Sequence, residues 1–361
     1  MEEEEYLLWL CSIDGFYSHS QGAVIDYFGS AEKAFHVDEK EYEPWNKLRL
    51  AWVPRLLASR TEAFIKEQQR KLSRNGIRFI SRKSPCFPQK LRWVEDAPLG
   101  IFVRGALPDP LRPSVAVVGA RSCSSYGYAM ARQTGRSLAA SGIQVISGMA
   151  RGVDGTAQEE AVRFEKMSFA VTGCGADICY PASNRRLYDN LVEHGGIISE
   201  FPPGSAPLRI HFPMRNRIIS GLADKLIVVE ARDRSGSLIT ADCALSQGKD
   251  VYAVPGRTDD PLSRGCNHLI ADGAYIVEST EELVRSLTEV FPIGPGFHEQ
   301  QVILAPSEKL VYSNLDFSAK STDVLLQQTG MAPGPLSEAL LQLEMRGLVT
   351  EISRNAYARK Q

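Results

Sequence analysis

The chain has 361 residues, 43% apolar and 23% charged, with a formal net charge of −2. That is room for two or three domains of roughly 100–200 residues, and 29 Gly, 20 Pro and 8% aromatic content exclude collagen-like, low-complexity and disordered chains. No apolar run approaches the ~18 residues of a membrane helix, acidic Glu2–Glu5 stand where a signal peptide is basic, and the 7 cysteines, lacking Cys-x-x-Cys, read as reduced thiols of a cytoplasmic protein.

Along the chain, residues 1–46 carry 11 Asp/Glu against 2 Lys, and residues 47–104 carry 14 Lys/Arg against 4 Asp/Glu. Such a switch means that something anionic faces the basic stretch or that the two stretches neutralise each other. Residues 1–75 read as a helical domain: Leu7, Leu8, Leu10 and Cys11 repeat at helical spacing, as do Ala23, Val24, Tyr27 and Phe28, with Gly29 as a stop. Residues 76–113 are Pro-broken and read as a connecting segment with some strand.

From residue 114 to 290 short apolar runs alternate with amphipathic stretches. Strands are expected at Val115–Gly119, Gln144–Ser147, Phe169–Thr172, Ile197–Ser199, Lys225–Glu230, Asp250–Val254 and Tyr275–Val277. Helices are expected near 126–140, 153–163, 183–194, 213–222, 237–248 and 279–290. Almost wholly apolar strands alternating with helices predict an α/β fold, a Rossmann-like parallel sheet covered on both faces. Residues 291–305 are a linker by composition, from Phe291-Pro292-Ile293-Gly294-Pro295-Gly296 onward. Residues 306–361 give helix, helix, helix, hairpin, the order of a winged-helix domain, with ends at Thr329-Gly330, Pro333-Gly334-Pro335 and Arg346-Gly347 and a tip at Arg354-Asn355.

In a parallel α/β sheet, ligands sit at the carboxyl ends of the strands, where helix N-termini offer free N–H groups. Those ends are rich in small residues, hydroxyls and arginines: Gly119, Arg121 and Ser122; Ser147, Gly148, Arg151 and Gly152; Asn184 and Arg185; Ser235, Gly236, Ser237 and Thr240. One such turn is ordinary, but four on one edge point to a polyanion site. The stretch Phe212-Pro213-Met214-Arg215-Asn216-Arg217 is the sharpest signal. With Pro213 at a first helical position, Arg215 and Arg217 fall in the first turn, where the macrodipole disfavours cations unless a phosphate lies there. The alternative is an ion pair with Glu200 or Asp224. Arg121, Arg151, Arg185, Arg215 and Arg217 together are expected to form a phosphate clamp.

Enzyme patterns fail on spacing. There is no Walker loop, no Gly-x-Gly-x-x-Gly and no Gly-x-Ser-x-Gly elbow. No catalytic residue, metal site or cofactor is expected. His211 and His268 read as packing or hydrogen-bonding residues, Cys174 and Cys179 as core thiols, Asp154 as a charge at its helix N-terminus, and Glu230 as a partner of Arg234 or Arg217.

On these residues the chain resembles the bacterial DNA-processing protein A family (DprA, also called Smf). The matching pieces are Val117–Arg121, Ser147–Asp154, Tyr180-Pro181, Ser199–Pro202, Phe212–Leu222, Val228–Ala231, Ser235–Thr240, Val254–Gly256 and Gly265–Ile270, in family order. The N-terminal helices resemble that family's sterile-alpha-motif-like domain and the tail its winged helix. The resemblance implies a protein that binds and protects single-stranded DNA, loads RecA recombinase in natural transformation, has no known catalytic activity, and forms a homodimer. The dimer contact would lie around His268, Leu269 and Ile270, where the last strand of an open sheet also needs cover. One departure is Gln158, where the family usually has His, which favours binding over proton transfer.

More distantly, the core resembles phosphoribohydrolases of the LONELY GUY type, a nucleotide-processing alternative. Thr240 stands near the place of their catalytic Glu, which disfavours hydrolysis. A transcription regulator is the third reading, but helix 336–346 exposes Ser337, Glu338, Gln342 and Glu344 and is a poor groove reader. A protein-interaction role fits that helix better.

Overall fold

The runs that read as buried on both faces do form the middle of a sheet. The computed structural model of the chain describes residues 2–48, 50–290, 305–316, 319–345, 348–353 and 355–359. The strands of the larger sheet are β1 (Ile77–Ser81), β2 (Gly100–Gly105), β3 (Ser114–Val118), β4 (Gln144–Ser147), β5 (Ser168–Thr172), β6 (Gly196–Ser199), β7 (Lys225–Val228), β8 (Val251–Ala253) and β9 (Tyr275–Ile276). Their order is β1-β2-β6-β5-β4-β3-β7-β8-β9. From β6 to β9 all neighbours are parallel, while β2 runs antiparallel to β6 and to β1. All seven expected strands are present, and the segment 76–113 adds two more at one edge.

The strand order reverses at β3, which pairs with β4 on one side and β7 on the other. A crevice opens at such a switch point because the connections leaving the two strands go to opposite faces. Val115, Val117, Val145 and Ile227 pack under the helix Ser125–Ala140, whereas Ala116, Val118, Leu226 and Val228 face Ile218, Ile219 and Leu222 of the helix His211–Leu222.

The N-terminal helices Glu3–Cys11, Ser18–Phe28, Ala31–His36, Val53–Ser59 and Glu62–Asn75 enclose Trp9, Phe16, Tyr42 and Leu56. Gly29 and Gly76 end two of them in left-handed conformations, φ +86° and +61°. Their core is continuous with Phe102, Leu191 and Ile197 of the sheet layer. The acidic start and basic stretch meet in part: Lys83 lies 2.8 Å from Glu3, Arg60 3.5 Å from Glu39, and Arg55 3.7 Å from Asp14. Glu4 accepts hydrogen bonds from the Ser81 N–H (3.1 Å) and hydroxyl, which closes the exposed edge of β1.

Residues 298–361 are a separate unit. Helices Pro306–Asn314, Thr322–Thr329 and Pro333–Met345 bury Val311, Leu325, Leu336, Leu340 and Leu343, followed by the hairpin β11 (Val349–Ser353) and β12 (Ala356–Arg359). The short strand β10 (Lys320–Ser321) pairs with β12. This is a winged helix in the expected order. Residues 291–304 of the expected linker, the turn Arg346-Gly347 and Arg354 at the hairpin tip lie outside the described residues; Asn355 holds φ +60°. No described helix is long and apolar enough to cross a membrane.

Candidate functional site

The crevice at the β3/β7 switch point is a cleft of about 660 Å3. Gly119 and Arg121, just past β3, form one wall, and Ser235, Gly236, Ser237 and Thr240, at the start of the helix Gly236–Ser246, form another. Phe212, Arg215 and Asn216 of the helix His211–Leu222 complete it. Ser235 caps its helix by accepting from the Ser237 N–H, so the positive end of that helix faces the cleft. Asn216 donates to the Gly236 carbonyl at 3.3 Å and ties the two helices together.

Beneath the opening lies a charged layer. Arg215 is 4% exposed and Asp154 6%, and they approach Gly148 from two sides. Arg215 donates to the carbonyls of Gly148 (3.0 Å) and Val171. Asp154 accepts from the Gly148 N–H at 3.2 Å. A Cβ at residue 148 would sit 2.6 Å from both terminal nitrogens of Arg215 and 2.7 Å from Asp154 Oδ2, so only glycine fits. Burial pulls the Arg215 guanidinium down to about 10, with Asp154 opposing that pull and Arg121 adding to it. Burial pushes the Asp154 carboxyl up, against Arg215 and the N–H groups of Gly148 and Gly119. The Nε of Arg215 has no hydrogen-bond partner among the described residues. Lining the cleft from below, this guanidinium adds positive potential to it.

Above this layer, Arg121 lies 5.4 Å from the Phe212 ring centroid, and Tyr180, 42% exposed, packs on Phe212 at 5.5 Å. Arg209 also lines the wall. A cation beside two accessible rings offers a phosphate contact and a flat surface for stacking.

The remaining expected residues lie elsewhere. Ser147 is buried and donates to the Val117 carbonyl at 2.6 Å. Gly152, φ +73°, begins the helix Val153–Ala161 against the Ala120 carbonyl. Asn184 donates to the carbonyls of Met149 and Ala150, supporting the turn behind the cleft. Ser122 and Arg151 are exposed outside the cleft, and Arg185 is exposed with its guanidinium on Asp189 at 3.0 Å. Arg217 points away: it donates to Glu200 (2.7 Å), Ser18 (2.8 Å) and the Asp96 carbonyl (2.9 Å). The ion-pair alternative thus describes Arg217. The helix starts at His211, not Pro213, so Arg215 falls in the second turn and the dipole conflict does not arise. Glu230 pairs with neither arginine; it accepts from the Ser124 N–H at 2.9 Å and hydroxyl.

His211 is buried, stacked on Phe201 at 4.0 Å, and bonded to the Tyr17 hydroxyl (2.8 Å) and Gly173 carbonyl (3.1 Å). Gln158 accepts from the N–H of Met149, which holds φ +52°. Cys174 is buried and Cys179 half-buried. His268 is exposed, 3.7 Å from Asp233, and Leu269 and Ile270 are half-buried near the open β9 edge. Of the lining residues, Tyr180 and Phe212 stand in the motifs quoted above without a role of their own, and Arg209 carries no signal in the sequence.

Comparison with known proteins identifies the family. The model of the DNA recombination-mediator protein A family matches residues 78–288, and that of the DprA winged helix domain matches residues 298–353. Protein Smf of Escherichia coli K12 is 38% identical over 281 residues, 76% of this chain and 75% of that protein. DNA processing protein DprA of Streptococcus pneumoniae R6 is 42% identical over 199 residues, 55% of this chain and 70% of that protein. Among solved structures, DNA processing protein A of S. pneumoniae superposes with TM-score 0.65 at 32% identity, covering 79% of this chain and 98% of that one. The DNA processing protein A of Helicobacter pylori, described for its single-stranded DNA binding mode, superposes with TM-score 0.55 at 26% identity, covering 60% of this chain and 97% of that one. A family match over residues 78–288, on a Rossmann-like sheet followed by a winged helix, places the chain in the DNA recombination-mediator protein A (DprA/Smf) family.

Proposed function

We propose that the chain binds single-stranded DNA in the switch-point cleft, independently of sequence, and presents it to RecA during natural transformation. The observation that carries this reading is the buried Arg215, with an unsatisfied Nε, below Arg121, Phe212 and Tyr180 at a helix N-terminus. Cations for phosphates and rings for bases are the chemistry of single-strand binding without readout. The single-stranded DNA described for the H. pylori relative supports it. Arg151 and Arg185 lie outside the cleft and would serve a strand only where it leaves.

A homodimer through His268, Leu269, Ile270 and the β9 edge, and a cytoplasmic location, belong to the same reading. So does the absence of turnover, since Thr240 stands in the wall near where the nucleotide-processing alternative needs a carboxylate. The test is a binding titration of single- and double-stranded DNA across a salt series, beside a nucleotide-hydrolysis assay. Preference for single strands without hydrolysis is the expected result. Equal affinity for a blunt duplex, or turnover lost on Thr240→Ala, refutes it.

A further inference from the structure

The loop between β6 and the helix His211–Leu222 has two lined faces. Pro207 and Arg209 line the switch-point cleft, whereas Ala206 and Leu208 line a second cleft, also of about 660 Å3, between the loop and the N-terminal helices. Alternate residues of the loop thus line the two spaces.

Phe64, Gln68 and Lys71 line the opposite side of the second cleft; their spacing puts them on one face of the helix Glu62–Asn75. Gln68 is 6% exposed, and its amide, which makes no hydrogen bond to a described residue, reaches the solvent of the cleft rather than being sealed off. The half-buried Lys71 has no acidic partner among them. Asp14, the carboxylate of this cleft, is already met by Arg55, which lies 3.7 Å away and donates to its carbonyl at 3.0 Å. What is left over is an ammonium, an amide and a ring. Those groups suit a phosphate, a base or sugar edge, and a base face.

We propose that single-stranded DNA held in the switch-point cleft crosses the loop at Pro207–Arg209 and continues into this second cleft, with Lys71 on a phosphate and Gln68 bonding the nucleotide. The proposal rests on the reading of the first cleft. The two clefts adjoin at this loop with Arg209 on one side and Lys71 on the other, while the carboxylates nearby are held by other groups, Asp177 by the Gly204 N–H and Asp14 by Arg55.

The experiment titrates the full chain with fluorescent oligothymidylates of graded length. It compares wild type with Lys71→Ala, Lys71→Glu, Lys71→Arg, Gln68→Ala and Arg121→Ala. Affinity is expected to climb with length beyond the shortest strand that binds. Lys71→Ala, Lys71→Glu and Gln68→Ala should remove that climb and leave the shortest strand's affinity unchanged, while Lys71→Arg keeps it. The log–log salt slope for long strands should flatten by roughly 0.7 in Lys71→Ala. Arg121→Ala should weaken short and long strands alike. The proposal is overturned if the Lys71 variants weaken all lengths equally or none, or if wild-type affinity does not rise with length. Wild type that binds no strand overturns both readings.

Discussion

Arg121 and Arg215 line the same cleft, yet substituting them should have different costs. Arg121 is exposed and touches the Phe212 ring. Arg121→Ala should hold stability within about 0.5 kcal/mol, while single-strand affinity falls and its salt slope flattens by roughly 0.7; thermal melting and anisotropy check the two halves. Arg215 is buried, bonded to two carbonyls and opposed to Asp154. Arg215→Ala leaves the Asp154 carboxylate without its counter-charge and should cost on the order of 3 kcal/mol, measured by urea unfolding. The Arg215→Ala, Asp154→Ala double variant should lose less than the sum of the singles. Sequence alone grouped Arg215 with Arg217, though residues two apart on a helix face different sides. That rule was available from the spacing. What the sequence left open is which of the two arginines takes the ion pair with Glu200, and the fold gives it to Arg217.

The elements were legible where burial is two-sided. From β3 to β8 the strands are apolar runs because helices cover both faces, and no other element so short is so uniformly apolar. β1 and β2 escaped as sheet members because prolines punctuate their segment and they join antiparallel at an edge. The start of the helix His211–Leu222 was misplaced because Pro213 suits a first position, and nothing in sequence shows that Tyr17 holds His211 in the turn before it. At its far end, Lys249 donates to the carbonyls of Ser220, Gly221 (3.0 Å) and Ala223 (2.6 Å). Burial pulls this ammonium from 10.5 down to about 8, Asp224 opposing and Lys90 adding. The unfolded chain therefore keeps its proton to higher pH, and unfolding free energy should rise as pH climbs from about 8 towards 10.5. Lys249→Met should abolish that rise in denaturation curves taken across this range. At the other edge of the sheet, Tyr275 and Ile276 are 55% and 47% exposed on β9. For the proposed dimer, Leu269→Arg, beside them, should give a monomer in sedimentation; a dimer that survives places the interface elsewhere.

At the scale of the molecule, a net charge of −2 concealed a cationic cleft because the acidic start is spent on neighbours such as Lys83 and Arg60. The winged helix has its own core and exposes Leu341, Met345 and Ile352 among acidic Glu338, Glu344 and Glu351. A face of that kind repels phosphates. Removing residues 298–361 should therefore leave single-strand affinity unchanged in the same titration, and a marked loss would assign DNA contact to this unit.

Gly148 carries one more consequence, for how the chain can vary. With a guanidinium on one side and a carboxylate on the other, any side chain at 148 collides with both. Once Arg215 or Asp154 is replaced by something smaller, that collision eases. Positions 148, 154 and 215 are thus expected to change together: a chain without the buried charges is released at 148, and one that keeps both needs glycine there.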